Sequence, residues 1–270
     1  MDRVTSKDGT SIAYHRQGGG PAVILVGGGL DDGSENAPLV PELAGRFTVY
    51  NYARRGRGDS GDTLPYTLER ELEDLDALIA EAGGSAHLYG VSSGGALALE
   101  AAAAGLAVDR LGVYEVPYMV ADDAAARWRR YVGQLGQVLA EGRRGEALEL
   151  FMRLAGSSEE DVAGARSSPY WPGLEAIAPT LAYDAACIGS DGRPPTDRLA
   201  RITQPTLAVT GRVSPDAQAG MGGLPPDLFD RAADAIAAAV PRAERLTLAG
   251  QGHVADPKVV ARMLERFFTA

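Results

Sequence analysis

The sequence predicts an α/β domain built on a mostly parallel, doubly wound sheet, with one block of helices inserted between two strands. Three observations carry this. Short β-branched runs alternate with Ala- and Leu-rich helical stretches. The runs are apolar throughout, as strands covered on both faces must be. The alternation breaks only once, between Pro117 and about Arg201. A chain of 270 residues with 45% hydrophobic content is long enough for one such domain with a sizeable core.

In chain order, the first expected strands are Ser11 to Arg16, Ala22 to Val26 and Thr48 to Tyr52. The stretch AVILV at 22 to 26 has no polar position, which marks a strand buried on both faces. A helical pattern runs from Thr67 to Ala82, followed by the strand Ala86 to Tyr89 and the helix Gly94 to Ala104. After the strand Leu111 to Tyr114 the pattern turns wholly helical, with segments at Asp122 to Ala140 and Gly145 to Leu154. A third is opened by Ser157, with Glu160 completing a capping-box arrangement. Alternation resumes with the strand Thr206 to Thr210, the helix Leu228 to Ala239, the strand Arg245 to Leu248 and the helix Pro257 to Phe268. This divides the chain into a core of residues 1–116 and 202–270 and a helical cap of residues 117–201.

Composition excludes several function classes. The formal net charge of -10 opposes nucleic-acid binding, which depends on clustered Lys and Arg. The single Cys187 has no partner for an intramolecular disulfide, and the N-terminus MDRVTSKDGT lacks a secretory apolar core, so a cytoplasmic location is expected. No apolar run approaches the roughly 20 residues that span a bilayer, so no membrane insertion is expected. The sequence leaves the oligomeric state open, a homo-oligomer included.

Two glycine clusters imitate phosphate-binding motifs. GRGDSG at 56 to 61 fits G-x-G-x-x-G, but its first glycine is separated from the Thr48 to Tyr52 strand by Ala53, Arg54 and Arg55. The acidic residue at the right distance, Asp76, lies in mid-helix rather than at a strand tip. GGGLDDGS at 27 to 34 follows a strand but has no lysine where a P-loop needs one. The tripeptide Arg57-Gly58-Asp59 spells an adhesion motif, which has no use in a protein that is not displayed. Arg54, Arg55 and Arg57 are flanked by Asp59 and Asp62, so the local basic excess is slight.

The chemistry concentrates at residues 89 to 103, YGVSSGGALALEAAA. Gly90-Val91-Ser92-Ser93-Gly94 fits G-x-S-x-G between an expected strand and an expected helix, the context of a nucleophile elbow. Small residues two positions either side avoid collision in the sharp turn, and Gly90 and Gly94 supply them. The turn lifts the Ser92 hydroxyl above the sheet and places the Ser93 amide at a helix N-terminus, where negative charge is favoured. Of the three histidines, His15 and His87 lie in strands and are expected to be structural. His253 follows the last strand in LTLAGQGHV and is the candidate base for Ser92.

With GVSSG, the late histidine in GQGH, VGGG after an early strand and RRGRGDS after the next, the chain resembles the α/β-hydrolase-fold superfamily from Ser11 to Phe268. The resemblance implies that Arg55-Gly56-Arg57-Gly58-Asp59-Ser60 is a structural turn beside the active-site rim, its glycines serving backbone conformation. It also places the second oxyanion donor at the Gly29 amide, with Gly28 adjacent, while Ser93 supplies the first. The chain departs from the family at three points. Relatives often have Asp where Ala53 stands, and His-Gly where this chain reads Gly27-Gly28-Gly29. The third departure concerns the triad acid. The common family position falls on Ser214, which cannot hold an imidazolium as a carboxylate does. Two acids are candidates: Asp216, two residues further on, and Glu115, at the end of the strand after the elbow, where some members of the fold place theirs. Glu115 is favoured.

The expected function is cofactor-independent serine hydrolysis, with no metal, acting on a small, largely apolar ester, lactone or thioester. Cap aromatics Trp128, Trp171 and Tyr118 are candidates for the substrate pocket, and residues 211 to 226, rich in Gly and Pro, for a mobile rim. Two other readings stand beside it. One uses the same fold and serine for carbon–carbon cleavage, isomerisation or cyclisation; the other is a non-catalytic small-molecule binding module.

Overall fold

Pleating splits the apolar strands between two faces, and each face finds its own helices. A computed structural model describes residues 1–213 and 224–270. Its eight strands form one sheet: β1 (Asp2–Thr5), β2 (Ser11–Gly18), β3 (Ala22–Val26), β4 (Thr48–Tyr52), β5 (Ala86–Val91), β6 (Val108–Tyr114), β7 (Thr206–Arg212) and β8 (Ala243–Ala249). The order across the sheet is β1-β2-β4-β3-β5-β6-β7-β8, and β2 alone runs antiparallel to its neighbours. In β3, Ile24 and Val26 join one core with the helices α2 (Leu68–Glu81), α3 (Ser93–Ala103) and α10 (Leu228–Ala239). Val23 and Leu25 face the other way, into a core shared with α1 (Leu39–Leu43) and α11 (Pro257–Phe268). This is the two-residue period of a strand expressed as two layers of helix.

Helix ends follow local chemistry. The carboxylate of Asp256 accepts from the Lys258 amide at 2.8 Å, and Pro257 occupies the first turn of α11, where its missing N–H costs nothing. Between β6 and β7 lie α4 (Asp122–Ala140), α5 (Arg144–Ala155), α6 (Glu159–Arg166), α7 (Trp171–Ile177), a 3-10 turn at Ala178–Thr180, α8 (Leu181–Ile188) and α9 (Thr196–Leu199). No strand interrupts them. Of these, α8 packs directly on α3, the helix that follows Ser92.

Several sequence expectations need correction. The α6 capping box is formed by Ser158 and Asp161, one residue later than Ser157 and Glu160. The SSEED run offers two registers, and the later one gives both reciprocal bonds. β1 has no apolar run and is largely exposed, so nothing in its pattern signalled a strand; backbone pairing with β2 makes it one. α1 and α7 to α9 are too short to show helical periodicity. No described helix is long and apolar enough to cross a membrane.

Candidate active site

Ser92 sits between β5 and α3 with φ 54° and ψ −126°, a conformation that costs energy in any residue but glycine. The surroundings leave it no alternative. The Ser92 amide donates to the Tyr114 carbonyl at 2.9 Å, and its carbonyl accepts from the Gly95 amide at 3.0 Å. A Cβ on Gly90 would come within 2.5 Å of the Gly94 carbonyl oxygen, and one on Gly94 would collide with the carbonyls of Val26 and Gly27. Both obstacles are backbone and cannot swing aside. Gly94→Ala is therefore expected to lower stability by about 3 kcal/mol, read as a shifted denaturant midpoint; an unchanged midpoint would show that β3 and the elbow can separate freely.

Glu115 follows β6 and also has positive φ, 47°. It is 5% exposed and held at three points. Its amide donates to the Val209 carbonyl at 2.9 Å, its Oε1 accepts from the Gly211 amide at 2.9 Å, and its Oε2 lies 2.7 Å from His253 Nδ1. A carboxylate oxygen only accepts, so this contact calls for a proton on Nδ1, and in the neutral ring that leaves the lone pair on Nε2. The His253 ring stacks on Phe229 of α10 with centroids 5.1 Å apart. The Tyr114 hydroxyl fixes the same loop by donating to the Gly252 carbonyl at 2.5 Å. Asp216, the other candidate acid, and most of the rim expected to be mobile lie outside the described residues.

Ser92, Ser93, Gly28, Gly29 and His253 line one cavity of ≈ 220 Å³. Met119, Trp128, Tyr131, Phe151, Leu181 and Ile188 make its walls largely apolar. Of the three aromatic side chains expected there, only Trp128 lines it, with its indole N–H tied to the Gly189 carbonyl at 2.7 Å. Tyr118 and Trp171 do not. Tyr118 is wholly buried, and Trp171, 7% exposed, packs beside Gly145 at the start of α5. Both serve the packing of the inserted helices. His15 is exposed on β2, while His87 is buried and stacks on Phe268 at 4.5 Å.

The RRGRGDS turn holds the residues that sequence reasoning missed. Its glycines behave as the resemblance implied, Gly56 and Gly58 having φ of 74° and 51°. The Ser60 hydroxyl closes the turn, accepting from the Ala13 amide at 2.9 Å and donating to the Ala53 carbonyl at 2.6 Å. Arg54, Arg55 and Arg57, however, are at most 1% exposed. Their charges are met by distant acids rather than by Asp59 and Asp62. Arg55 pairs with Asp74 and Asp8 at 2.7 and 3.0 Å. Arg54 grips Glu71 through Nε and Nη2 at 2.6 and 2.7 Å. Arg54 and Arg57 both donate to Oδ1 of Asp184, on α8, at 2.8 Å, and the Ser93 hydroxyl donates to the same oxygen at 2.7 Å. Burial pushes the Asp184 carboxyl toward neutrality, but the Arg57 and Arg54 guanidiniums outweigh it and hold its pKa below the usual carboxylate value. Three arginines in four residues were the available signal; their partners, up to 130 residues away, left none.

Comparison with known proteins agrees with this architecture. A sequence model of the alpha/beta hydrolase family matches residues 22–263. The structure is similar to that of an alpha/beta hydrolase from Sphaerobacter thermophilus, with a TM-score of 0.84 and 44% identity, covering 99% of this chain and 100% of that one. The chain is 31% identical over 269 residues to the pimeloyl-[acyl-carrier protein] methyl ester esterase of Xanthomonas campestris pv. campestris, covering 94% of this chain and 97% of that protein. An enol-lactonase from Burkholderia xenovorans, at 19% identity and a TM-score of 0.71 with all of both chains covered, shares the fold. An elbow serine and a late-loop histidine on a mostly parallel eight-stranded sheet, together with a family match over nearly the whole length, lead to one conclusion: this chain belongs to the alpha/beta hydrolase family.

Proposed function

We propose that the protein is a serine hydrolase that cleaves an ester, lactone or thioester of a small, largely apolar substrate through an acyl-enzyme. The observation that carries this is the 2.7 Å contact between His253 Nδ1 and Glu115 Oε2, beside a cavity that His253 shares with Ser92. Family membership and the identity to a methyl ester esterase support esterase-type hydrolysis. The apolar cavity walls support the substrate class.

In this reading His253 Nε2 takes the proton of the Ser92 hydroxyl as its oxygen attacks the acyl carbonyl. The carbonyl oxygen becomes an oxyanion, received by the amides of Ser93 and Gly29. Collapse expels the leaving group, which takes the proton from His253. The imidazole then activates water to release the acid from Ser92. Glu115 keeps the imidazole in the required tautomer and offsets its charge when protonated. Every step moves a proton or an acyl group, so the reaction needs no electron carrier. The helices of residues 117–201 act as a cap that closes the apolar side of the cavity.

Treatment with a fluorophosphonate probe, followed by peptide mass spectrometry, tests the reading. An adduct on Ser92 is expected; an unlabelled Ser92 in folded protein would leave a binding module instead. Analysis of the product of an ester substrate, showing free acid and alcohol, separates hydrolysis from lyase or isomerase chemistry. Ser93→Ala should be far milder than loss of Ser92, because the amide survives. The bond donated to Asp184 and the longer one accepted from Arg54 Nη1 at 3.4 Å are lost, with a cost of about 1 kcal/mol in stability and a fall in kcat below about tenfold. A fall as deep as that of a Ser92 variant would make the Ser93 hydroxyl itself the reacting group.

A further inference from the structure

We infer that Arg57 is a positioning residue for the oxyanion site: it holds the Gly28–Gly29 peptide group by its carbonyl, so that the amide on the opposite edge of the same plane faces the reacting carbonyl. The inference rests on the acyl-transfer reading above.

The geometry begins with one peptide bond. The carbonyl of Gly28 and the N–H of Gly29 belong to a single rigid plane, and in a trans peptide they point in opposite directions. The cis peptide found among the described residues is Leu64-Pro65, so the plane at Gly28 and Gly29 is trans. Arg57 Nη1 donates to the Gly28 carbonyl at 2.5 Å. A side chain that grips the oxygen thereby sets the direction of the amide. It also strengthens it, because a cation at the carbonyl oxygen draws electron density through the conjugated plane and makes the N–H a better donor. The plane lies where a donor is needed. A Cβ on Gly28 would stand 3.2 Å from Ser92 Cβ and 3.9 Å from Ser92 Oγ, and both Gly28 and Gly29 line the cavity. Among the described residues the Gly29 amide has no backbone or side-chain acceptor of its own.

Arg57 is in turn fixed from the far side. Its Nη2 donates to Asp184 Oδ1 at 2.8 Å and to the Thr180 carbonyl at 3.4 Å. The same Asp184 oxygen takes the hydroxyl of Ser93, whose amide is the other donor, and Arg54 Nη1, which also reaches the Gly27 carbonyl at 3.3 Å. One buried ionic cluster therefore touches residues 27, 28 and 93, the two backbone segments that supply the oxyanion donors. Arg57 Nε is buried with no partner among the described residues, and so is Asp184 Oδ2. A cluster built only for stability would satisfy those atoms or be apolar. This one gives up stability and holds geometry.

The test uses Arg57→Met and Asp184→Asn beside the wild type, with folding checked by circular dichroism and melting. Three quantities are measured: kcat and KM on a small ester, the inhibition constant of a trifluoromethyl ketone that forms a tetrahedral adduct with serine, and that of the matching alcohol, which cannot. Arg57→Met is expected to lower kcat about 10²-fold, the scale of a 1 Å misplacement in an active site. The ketone should weaken by a similar factor, while KM and the alcohol change less than about threefold on the same scale. Asp184→Asn keeps Arg57 charged but holds it less firmly, so the same selective weakening of the ketone should appear at about tenfold. Asp184→Asn decides the matter alone should Arg57→Met fail to fold. Folded variants with unchanged ketone affinity, or with ketone, alcohol and KM weakened together, overturn the inference. Failure of the wild type itself to take a fluorophosphonate on Ser92 sinks the acyl-transfer reading instead, so the two failures are distinct.

Discussion

Ser92→Ala is expected to lower kcat by on the order of 10⁶-fold while leaving the fold intact. Both halves of that expectation come from the elbow. In the proposed mechanism the hydroxyl is the atom that attacks, and the neighbouring Ser93 hydroxyl is committed to Asp184. Structurally the hydroxyl does little: Ser92 makes no side-chain cap for α3, and its positive φ is imposed by backbone bonds and by the glycines around it. Alanine keeps the same Cβ and therefore the same strain. The checks are steady-state turnover of an ester and a melting curve. Substantial remaining turnover would place the nucleophile elsewhere, and a large drop in melting temperature would assign the serine a structural duty. The amides proposed to receive the oxyanion survive, so a residual rate of roughly 10³- to 10⁴-fold over water should remain.

Glu115→Gln is expected to cost 10³- to 10⁴-fold in kcat, the scale of losing a triad acid. The amide can still accept from the Gly211 N–H, which preserves the bond at 2.9 Å that ties β6 to β7. What changes is the partner of His253. An amide nitrogen facing Nδ1 forces the proton onto Nε2, and the ring then has no lone pair to offer Ser92. The charge that offset the imidazolium is gone as well. Asp216→Asn should change little. Turnover and melting temperature of both variants decide it, and the reverse pattern would make Asp216 the acid.

Elements with a wholly apolar run or a long amphipathic period were legible in the sequence, and the bounds of β3, β4, α4, α10 and α11 match those expected. Strands were expected too short wherever polar residues close them, as with Arg212 in β7 and Glu244 in β8. Ser92 and His253 could be named as candidates because their motifs are local, and the structure brings both to one cavity. Glu115 became a candidate only because the usual position falls on Ser214, and the structure sets it 2.7 Å from His253. The Arg54, Arg57 and Asp184 cluster was not legible at all. Its charges look like ordinary surface until the turn and α8 are brought together, and charge has no period by which to foresee that. Tyr118 and Trp171 show the converse limit: composition finds aromatic residues in a helical segment but not which way they face.

Gly27 and Asp31 constrain which side chains this loop can accept. A side chain at position 27 would collide with Asp31 Oδ2, and Asp31 Cγ would stand only 2.9 Å from its Cβ. Asp31 is not free to withdraw, since its Oδ1 accepts from the amides of Gly33 and Glu35 at 2.8 and 3.0 Å. A larger residue at 27 therefore meets a carboxylate that is braced in place. Making room for it would disturb the turn through Gly33 that Asp31 braces. The two positions are therefore coupled: the space a side chain at 27 would need is the space the braced Asp31 carboxylate fills.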